Sequence, residues 1–485
     1  VAQARRPGEP GLHPTGGDPG AGSEADADTP TLPVSRLTSE PNRTATVRLF
    51  ATKDFFRLWV AQVVSALGDW IGFLAILAIA DRIGGAGAIG VVMTARILPG
   101  FFLAPVAGVL LDRWDRKRVM VSCDVGRGLV LLALPFVDTI PQLVIVSFLL
   151  EVLTVMWSPA KEAETPNMVP ADHLATANSL SMVAAYGSIP IAAALFAGLA
   201  KVADILSRNE SLSFLNEASL AVYFDVVTFL TSAVLISTLR FGGRPRQAGP
   251  PTSRRIDFSG TFTEFKEGWH FIASNRMVWA VMVGLGTGLI GGGMLVPLGP
   301  LFTDQVLGGG TAGFGLVIFA LGMGVALGVV AVSLLSTRLN KPRTFSGAVV
   351  LAGVSLLAGA SVSTLTPALV LVALLGAGAG CAYVLGYTIL QEGVSDDLRG
   401  RTFTALYTVV RLCLLISFAV GPFLAGALGR LSGRFIGGEL SWGEMTISIP
   451  GVRLTLWLAA VIIIVAGVVA GRVLRETRGG EAPSP

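Results

Sequence analysis

The chain has 485 residues, of which 52% are hydrophobic and only 14% charged, with a formal net charge of +4 and a mean hydropathy of +0.69. A soluble domain carries about 25% charged residues, so an ordinary water-soluble fold is excluded, and the length fits about a dozen membrane crossings of roughly 20 residues each. The small net charge gives no nucleic-acid signal, and Cys123, Cys381 and Cys413 all lie in apolar runs, without the spacing of a disulfide framework or a metal site.

Residues 1–47 are rich in Gly, Pro, Ala, Asp, Ser and Thr. They cannot bury enough apolar surface to offset chain entropy, and read as a disordered cytoplasmic tail rather than a secretory leader. Phe50, Phe55 and Phe56, with Lys53 and Arg57, form an interfacial lead-in. Twelve apolar runs follow, near 56–80, 87–111, 119–137, 141–160, 174–203, 216–239, 277–303, 312–336, 344–364, 367–391, 402–429 and 450–474. The polar stretch 240–276 holds seven Lys and Arg and divides them six and six. The predicted architecture is an all-α membrane protein of twelve transmembrane helices. It has a six-helix half at 48–239, a cytoplasmic linker at 240–276, a second six-helix half at 277–475 and a cytoplasmic tail at 476–485.

Between the second and third runs, the link 112–118 packs six charges into seven residues. Such a link cannot lie in hydrocarbon. With the N-terminus inside, cytoplasmic segments hold 27 Lys and Arg and outer segments hold 6. That bias places both termini in the cytoplasm, and the membrane expected is the plasma membrane. The halves also repeat. Arg113, Arg116 and Arg118 match Arg338, Lys341 and Arg343, each 225 positions on, and 168–172 matches 393–397 at the same offset. Duplicated halves of this kind rock against one another around a path near the bilayer midplane.

Few charges fall inside the spans. Asp69, in the first, must be protonated, paired or facing water, because an ionised carboxylate at that depth is costly. Each of those states suits proton or substrate coupling, and the alternative is a helix-packing hydrogen bond. Glu151 in the fourth span is similar. Asp225 in the sixth reads more as packing or pairing. Arg96 in the second is a lone cation whose partner is Glu151 or Asp69, and Arg411 in the eleventh is another. Asp124 and Arg127, three apart on one helical face, suit mutual pairing within a gating network just after the link. Lys161, Glu162 and Glu164 read as a solvated link. Gly324-x-x-x-Gly328 and Gly376-x-x-x-Gly380 permit close helix contact, and the glycines from Gly284 to Gly293 suggest a seventh helix that bends. No phosphate-binding Gly-x-x-x-x-Gly-Lys-Ser/Thr appears, and His13, His173 and His270 are too scattered for a metal. No cofactor or enzyme chemistry is expected.

Gly108-x-x-x-Asp112-Arg113-x-Asp115-Arg116-Lys117-Arg118 resembles the signature loop of the major facilitator superfamily, with Asp115 where many members have Gly. That variant, Gly68-Asp69-Trp70, Ser158-Pro159-Ala160, Asp225 and Leu398-Arg399-Gly400-Arg401 look like the branch of macrolide-efflux and enterobactin exporters. The resemblance implies a gating loop in which Asp112 faces the start of helix 11, a contact that a helix N-terminus favours. Arg399 and Arg401 join Asp124 and Arg127 in that gating network. The antiporter element of helix 5 is degenerate here (Gly187-Ser-Ile-Pro190), and its closer match, Gly421-Pro422-Phe-Leu-Ala-Gly426, sits in helix 11. The activity implied is proton-coupled efflux of a lipophilic or amphipathic small molecule, a drug, macrolide or siderophore, by a monomer working through alternating access. The rivals are facilitated or importing transport of a metabolite, and a non-transporting membrane subunit that acts through its N-terminal tail.

Overall fold

The computed structural model describes residues 52–111, 114–170, 173–208, 218–239, 275–335, 338–394, 406, 408–410, 412–437, 439–442 and 445–479. The tail 1–47, residues 240–274 of the linker, and Asp112, Arg113, Arg399, Arg401 and Arg411 lie outside them. Eleven helices among the described residues are long and apolar enough to cross a membrane. The first, Lys53–Leu111, has 59 residues and would reach about 90 Å if straight. It is not straight. Gly84 and Gly85 leave helical geometry, Gly85 with φ +57°, a conformation glycine adopts at no steric cost. Arg96 also lies 5.3 Å from the ring centre of Phe73, a residue that a straight helix would hold about 35 Å away. The chain folds back at the glycine pair, so this helix supplies spans 1 and 2, and the crossings among the described residues number twelve.

Span 3 is Arg116–Leu132, span 4 Ile140–Met168 and span 6 Ser219–Ser237. Span 5 is broken at Gly187 into Leu174–Tyr186 and Ser188–Ser207. Span 7 is broken at Met294, directly after its glycine run, into Arg276–Gly293 and Leu295–Gln305. Spans 8, 9 and 10 are Gly310–Leu335, Lys341–Ser361 and Leu365–Gly393. Span 11 passes through a π-helical turn, Ile416–Val420, into Gly421–Ile436, and span 12 is Gly451–Gly479.

Two elements depart from expectation. Span 4 does not end near residue 160. It continues through Pro159 and Pro166 to Met168, because Glu164 is buried and accepts from Arg116 at 3.4 Å and from Asn167 at 3.1 Å. A short antiparallel hairpin, Glu439–Trp442 with Met445–Ser448, joins spans 11 and 12.

The duplication recurs in the caps. The Asp115 side chain accepts from the Arg118 N–H at 2.8 Å at the start of span 3. Asn340, 225 positions on, accepts from the Arg343 N–H at 3.4 Å at the start of span 9. Arg116–Glu164 then ties span 3 to span 4, and Lys341–Glu392 ties span 9 to span 10.

Helices in a membrane gain little from hydrophobic burial against one another and associate through close packing of small residues. Spans 8 and 10 do this with the two glycine pairs. A Cβ on Gly324 would lie 2.0 Å from the Ala373 carbonyl oxygen, one on Gly328 2.2 Å from that of Ala377, and one on Gly376 2.2 Å from that of Leu321. Backbone oxygens cannot swing aside, so Gly324→Val should cost at least the ~1–3 kcal/mol typical of overpacking. The expected result is loss of the monodisperse peak in detergent size-exclusion chromatography. Gly347→Ala, at a site with open space within 4 Å, should retain it.

The two halves meet from mid-depth to the face opposite the 112–118 link. Gly322 of span 8 packs on Pro190 of span 5, Gly315 on Ala193 and Ala197, and Gly90 of span 2 on the Phe423 ring of span 11. Near that face, between the halves, lies a cavity of about 690 Å³ bordered by Asp81, Arg82, Asp304 and Thr311.

Candidate functional site: a charged cluster inside the N-terminal half

Arg127 is the centre of the site. It projects from span 3, which the Asp115 cap starts, and it is 1% exposed. Its guanidinium donates to Asp69 Oδ1 at 3.2 Å and Oδ2 at 3.3 Å on span 1, and to Asp124 one turn back on its own helix. It lies 4.3 Å from the ring centre of Phe229 and 5.3 Å from that of Trp157. Rings from spans 6 and 4 thus take up the flat faces of a cation whose in-plane donors face carboxylates, an arrangement a guanidinium suits better than an ammonium. Its Nε has no hydrogen-bond partner among the described residues. Asp124, fully buried, also accepts from Ser232 Oγ at 2.7 Å.

Asp225 approaches from span 6 and is 1% exposed. Thr228 Oγ1 donates to its Oδ1 at 3.1 Å. Its carboxyl group lies in a notch that two glycines of span 1 leave open. A Cβ on Gly68 would sit 2.1 Å from Asp225 Oδ1, and one on Gly72 2.2 Å from Oδ2. Gly72→Ala should therefore displace this carboxyl group and open spans 1 and 6. The expected readout is a thermal unfolding temperature lowered by several degrees, as overpacking of ~1–3 kcal/mol implies. Gly87→Ala on span 2, where nothing lies within 4 Å, should leave the temperature unchanged.

Arg96 of span 2 lies 3.8 Å from Glu151 Oε2 of span 4 and over the Phe73 ring of span 1. That distance is an ion pair without a hydrogen bond. Asp69, Arg96, Arg127 and Asp225 line one small cavity of about 10 Å³, room for about one water. Accessibility divides the cluster. Asp69 is 38% exposed and Glu151 and Arg96 are 23% and 16% exposed, whereas Asp124, Arg127 and Asp225 are sealed.

The cluster holds four carboxyl groups and two guanidinium groups. Charges taken out of water are tolerated when paired and hydrogen-bonded, so two of these carboxyl groups exceed the fixed positive charge. The excess gives the cluster the capacity to hold protons or a cation.

Asp124 and Arg127 pair with each other as the spacing suggests, and they also join Asp69, so two groups separate in the sequence form one cluster. Arg96 takes Glu151 as its partner. Asp225 packs against the glycines beside Asp69. The link itself lies at the helix ends. Gly108 is in the last turn of Lys53–Leu111, Arg116 donates to the Ala163 carbonyl at 2.9 Å, and Lys117 donates to that of Leu239 at 2.8 Å. The side chains of Asp115 and Arg118 are exposed. Sequence reasoning missed Thr228, Phe229 and Ser232. Their signal was present, since with Asp225 they recur at intervals of three and four along one face of span 6.

The Major Facilitator Superfamily model matches residues 58–417. The chain is 24% identical over 391 residues to the uncharacterized MFS-type transporter YfiS of Bacillus subtilis, covering 78% of this chain and 88% of that one. It is 21% identical over 397 residues to macrolide efflux protein A of Streptococcus pyogenes, covering 77% and 90%. Its fold is like that of a bacterial homologue of the human lysosomal transporter Spinster, with a TM-score of 0.65, 14% identity, and 87% and 98% coverage. With twelve crossings among the described residues and a family match over most of its length, this chain belongs to the major facilitator superfamily.

Proposed function

We propose that this chain is a proton-coupled exporter of a lipophilic or amphipathic small molecule, working by alternating access as a monomer in the plasma membrane with both termini cytoplasmic. The observation that carries this reading is the excess of carboxyl over guanidinium groups around Arg127. Asp69 is the accessible member bonded to that cation, so it is the exchange point. When Asp69 binds a proton, Arg127 keeps Asp124 and loses its second partner. When Asp69 releases the proton, the bridge between spans 1 and 3 re-forms. Glu151 and Arg96 form the second accessible pair, and sealed Asp225 holds its proton against span 1. Likeness to macrolide efflux protein A supports the outward direction and a largely apolar cargo.

Inverted membrane vesicles test this. With an imposed proton gradient, acid inside, one member of a panel of macrolides, siderophores and lipophilic cations should accumulate, and a protonophore should abolish the accumulation. Equilibration that ignores both gradient and protonophore would replace the exporter with a facilitator.

A further inference from the structure

Two carboxyl groups stand apart from the charged cluster. Asp81 follows the first apolar run and Asp304 the seventh, so each lies at the end of the first span of its half, on the face opposite the 112–118 link. Each precedes a tight glycine turn. Gly85 has φ +57° and Gly310 has φ +55°, left-handed backbone that favours glycine. These two glycines are 225 positions apart (310 − 85), the offset of the duplication. The same turn, used once in each half, brings one acid from each side to the boundary, where both border the cavity of about 690 Å³.

Positive charge is scarce around them. Arg82 is the one cation among the described residues that borders the cavity, which Ser207, Gln305, Thr311 and Phe314 also line. Among the described residues, the side chains of Asp81, Arg82 and Asp304 take part in no hydrogen bond or ion pair. The neighbouring elements bring no counter-ion. Lys201, Asp204 and Arg208 at the end of span 5 pair among themselves, and span 8 has no charged residue. Span 11 packs beside the first glycine turn through Gly426 and Ala86, but its Arg430 and Arg434 do not border the cavity. Arg453 of span 12 is engaged with the oxygens of Ser448, Val362 and Ser363. Burial and the charge of Asp304 push the Asp81 carboxyl group up to about 6.

From this placement we infer that Asp81 and Asp304 form a proton-operated latch between the halves on the face opposite the link. A proton held by the pair lets the two carboxyl groups stay together and the face stay closed. Its loss leaves two like charges, one on each half, and these drive the face open. Protons bind more tightly to the closed arrangement, so acid favours it, and a rise in pH through about 6 opens it. In an exporter driven by proton entry, a proton arriving from this face returns it to the closed state once the cargo has left. That place in the cycle rests on the exporter reading, whereas the latch itself does not.

The test is the distance across this face in the full chain in nanodiscs, read between nitroxide labels on Arg208→Cys and Thr366→Cys. Both positions are exposed, and Cys123, Cys381 and Cys413 are each replaced by Ala. Asp69→Asn is included throughout, so that the proposed exchange point does not titrate. The ratio of the longer to the shorter distance should rise about tenfold from pH 5 to pH 8, the change that one unit of difference in proton affinity produces. Adding Asp304→Asn should hold the shorter distance across that range, and Asp304→Lys, which puts an opposite charge beside Asp81, should hold it more firmly. Asp138→Asn, at an exposed carboxylate elsewhere on this face, should leave the response unchanged. Unfolding temperatures confirm that each variant folds. The latch is overturned if the distance ignores pH, if the response with Asp304→Asn stays within twofold of that without it, or if Asp138→Asn removes the response equally. Proton-driven export alongside any of those results would leave the exporter standing without this latch. The predicted distance response, with no substrate moving any proton, would do the reverse.

Discussion

Asp69→Asn is expected to give a folded protein that no longer couples substrate to protons. Asn keeps the size of the side chain and stands in for the protonated carboxyl group, so Arg127 keeps Asp124 and its bridge to span 1 is weakened as in the protonated state, but Asn cannot exchange a proton. Coupling between two binding events is reciprocal and typically amounts to about 1–3 kcal/mol, a 5- to 150-fold change in affinity. In the unaltered chain, substrate affinity should vary with pH by a factor in that range, and in Asp69→Asn it should be flat. Titrating substrate binding across pH in both proteins reads this directly. Parallel curves would move the exchange point to Glu151, the other accessible carboxylate.

The second large effect is structural. Arg127→Gln should leave Asp124 sealed with only Ser232 for company and leave Asp69 without its cation. Removing one partner of a buried pair costs about 3–5 kcal/mol, so this variant should fail to accumulate as folded protein or should unfold far below the unaltered chain. Arg127→Lys should recover part of the loss. An ammonium carries the charge but cannot bridge two carboxylates while presenting a flat face to Phe229. The double change Asp124→Leu with Arg127→Met tests the physics separately, because replacing both charges by apolar groups of similar volume is often neutral. It should restore the folded protein and still lack proton coupling. Detergent size-exclusion chromatography after a temperature ramp ranks the four proteins, and a single Arg127→Gln change as stable as the unaltered chain would contradict the central position given to this residue.

Much of the fold was legible because a membrane imposes its own grammar. Apolar runs of fixed length marked the spans, and even the 59-residue first helix reads as two crossings once Gly84-Gly85 is seen. The 225-residue offset, seen in the sequence at the basic residues of the two links, recurs in the structure at the caps Asp115 and Asn340. The glycine pairs of spans 8 and 10 were legible as contacts, though not as contacts with each other. The composition of the candidate site was also legible, since any ionisable residue within a span calls for an explanation. Its assembly was not. Asp124 and Arg127 follow the charged link closely, and position along the chain suggests the link as their partner. Which way a helix face turns depends on its neighbours, and here it turns Arg127 toward Asp69, between rings from Phe229 and Trp157 that look in sequence like ordinary lipid-facing residues. Glu164 was misread for a related reason. A carboxylate beyond Pro159 looks like the start of a loop, but Glu164 is buried and paired with the half-exposed Arg116, and the helix runs onward. The hairpin at 439–448 rests on short alternating segments, a weaker signal than any span.

The measurement that bears most directly on this account is internal pH in proteoliposomes carrying an entrapped dye, followed after addition of a substrate identified in the vesicle screen. Substrate-dependent proton movement is expected from the unaltered chain and none from Asp69→Asn, with both proteins reconstituted to the same amount. Substrate crossing the membrane at equal rates in the two proteins, with no change in internal pH, would contradict it.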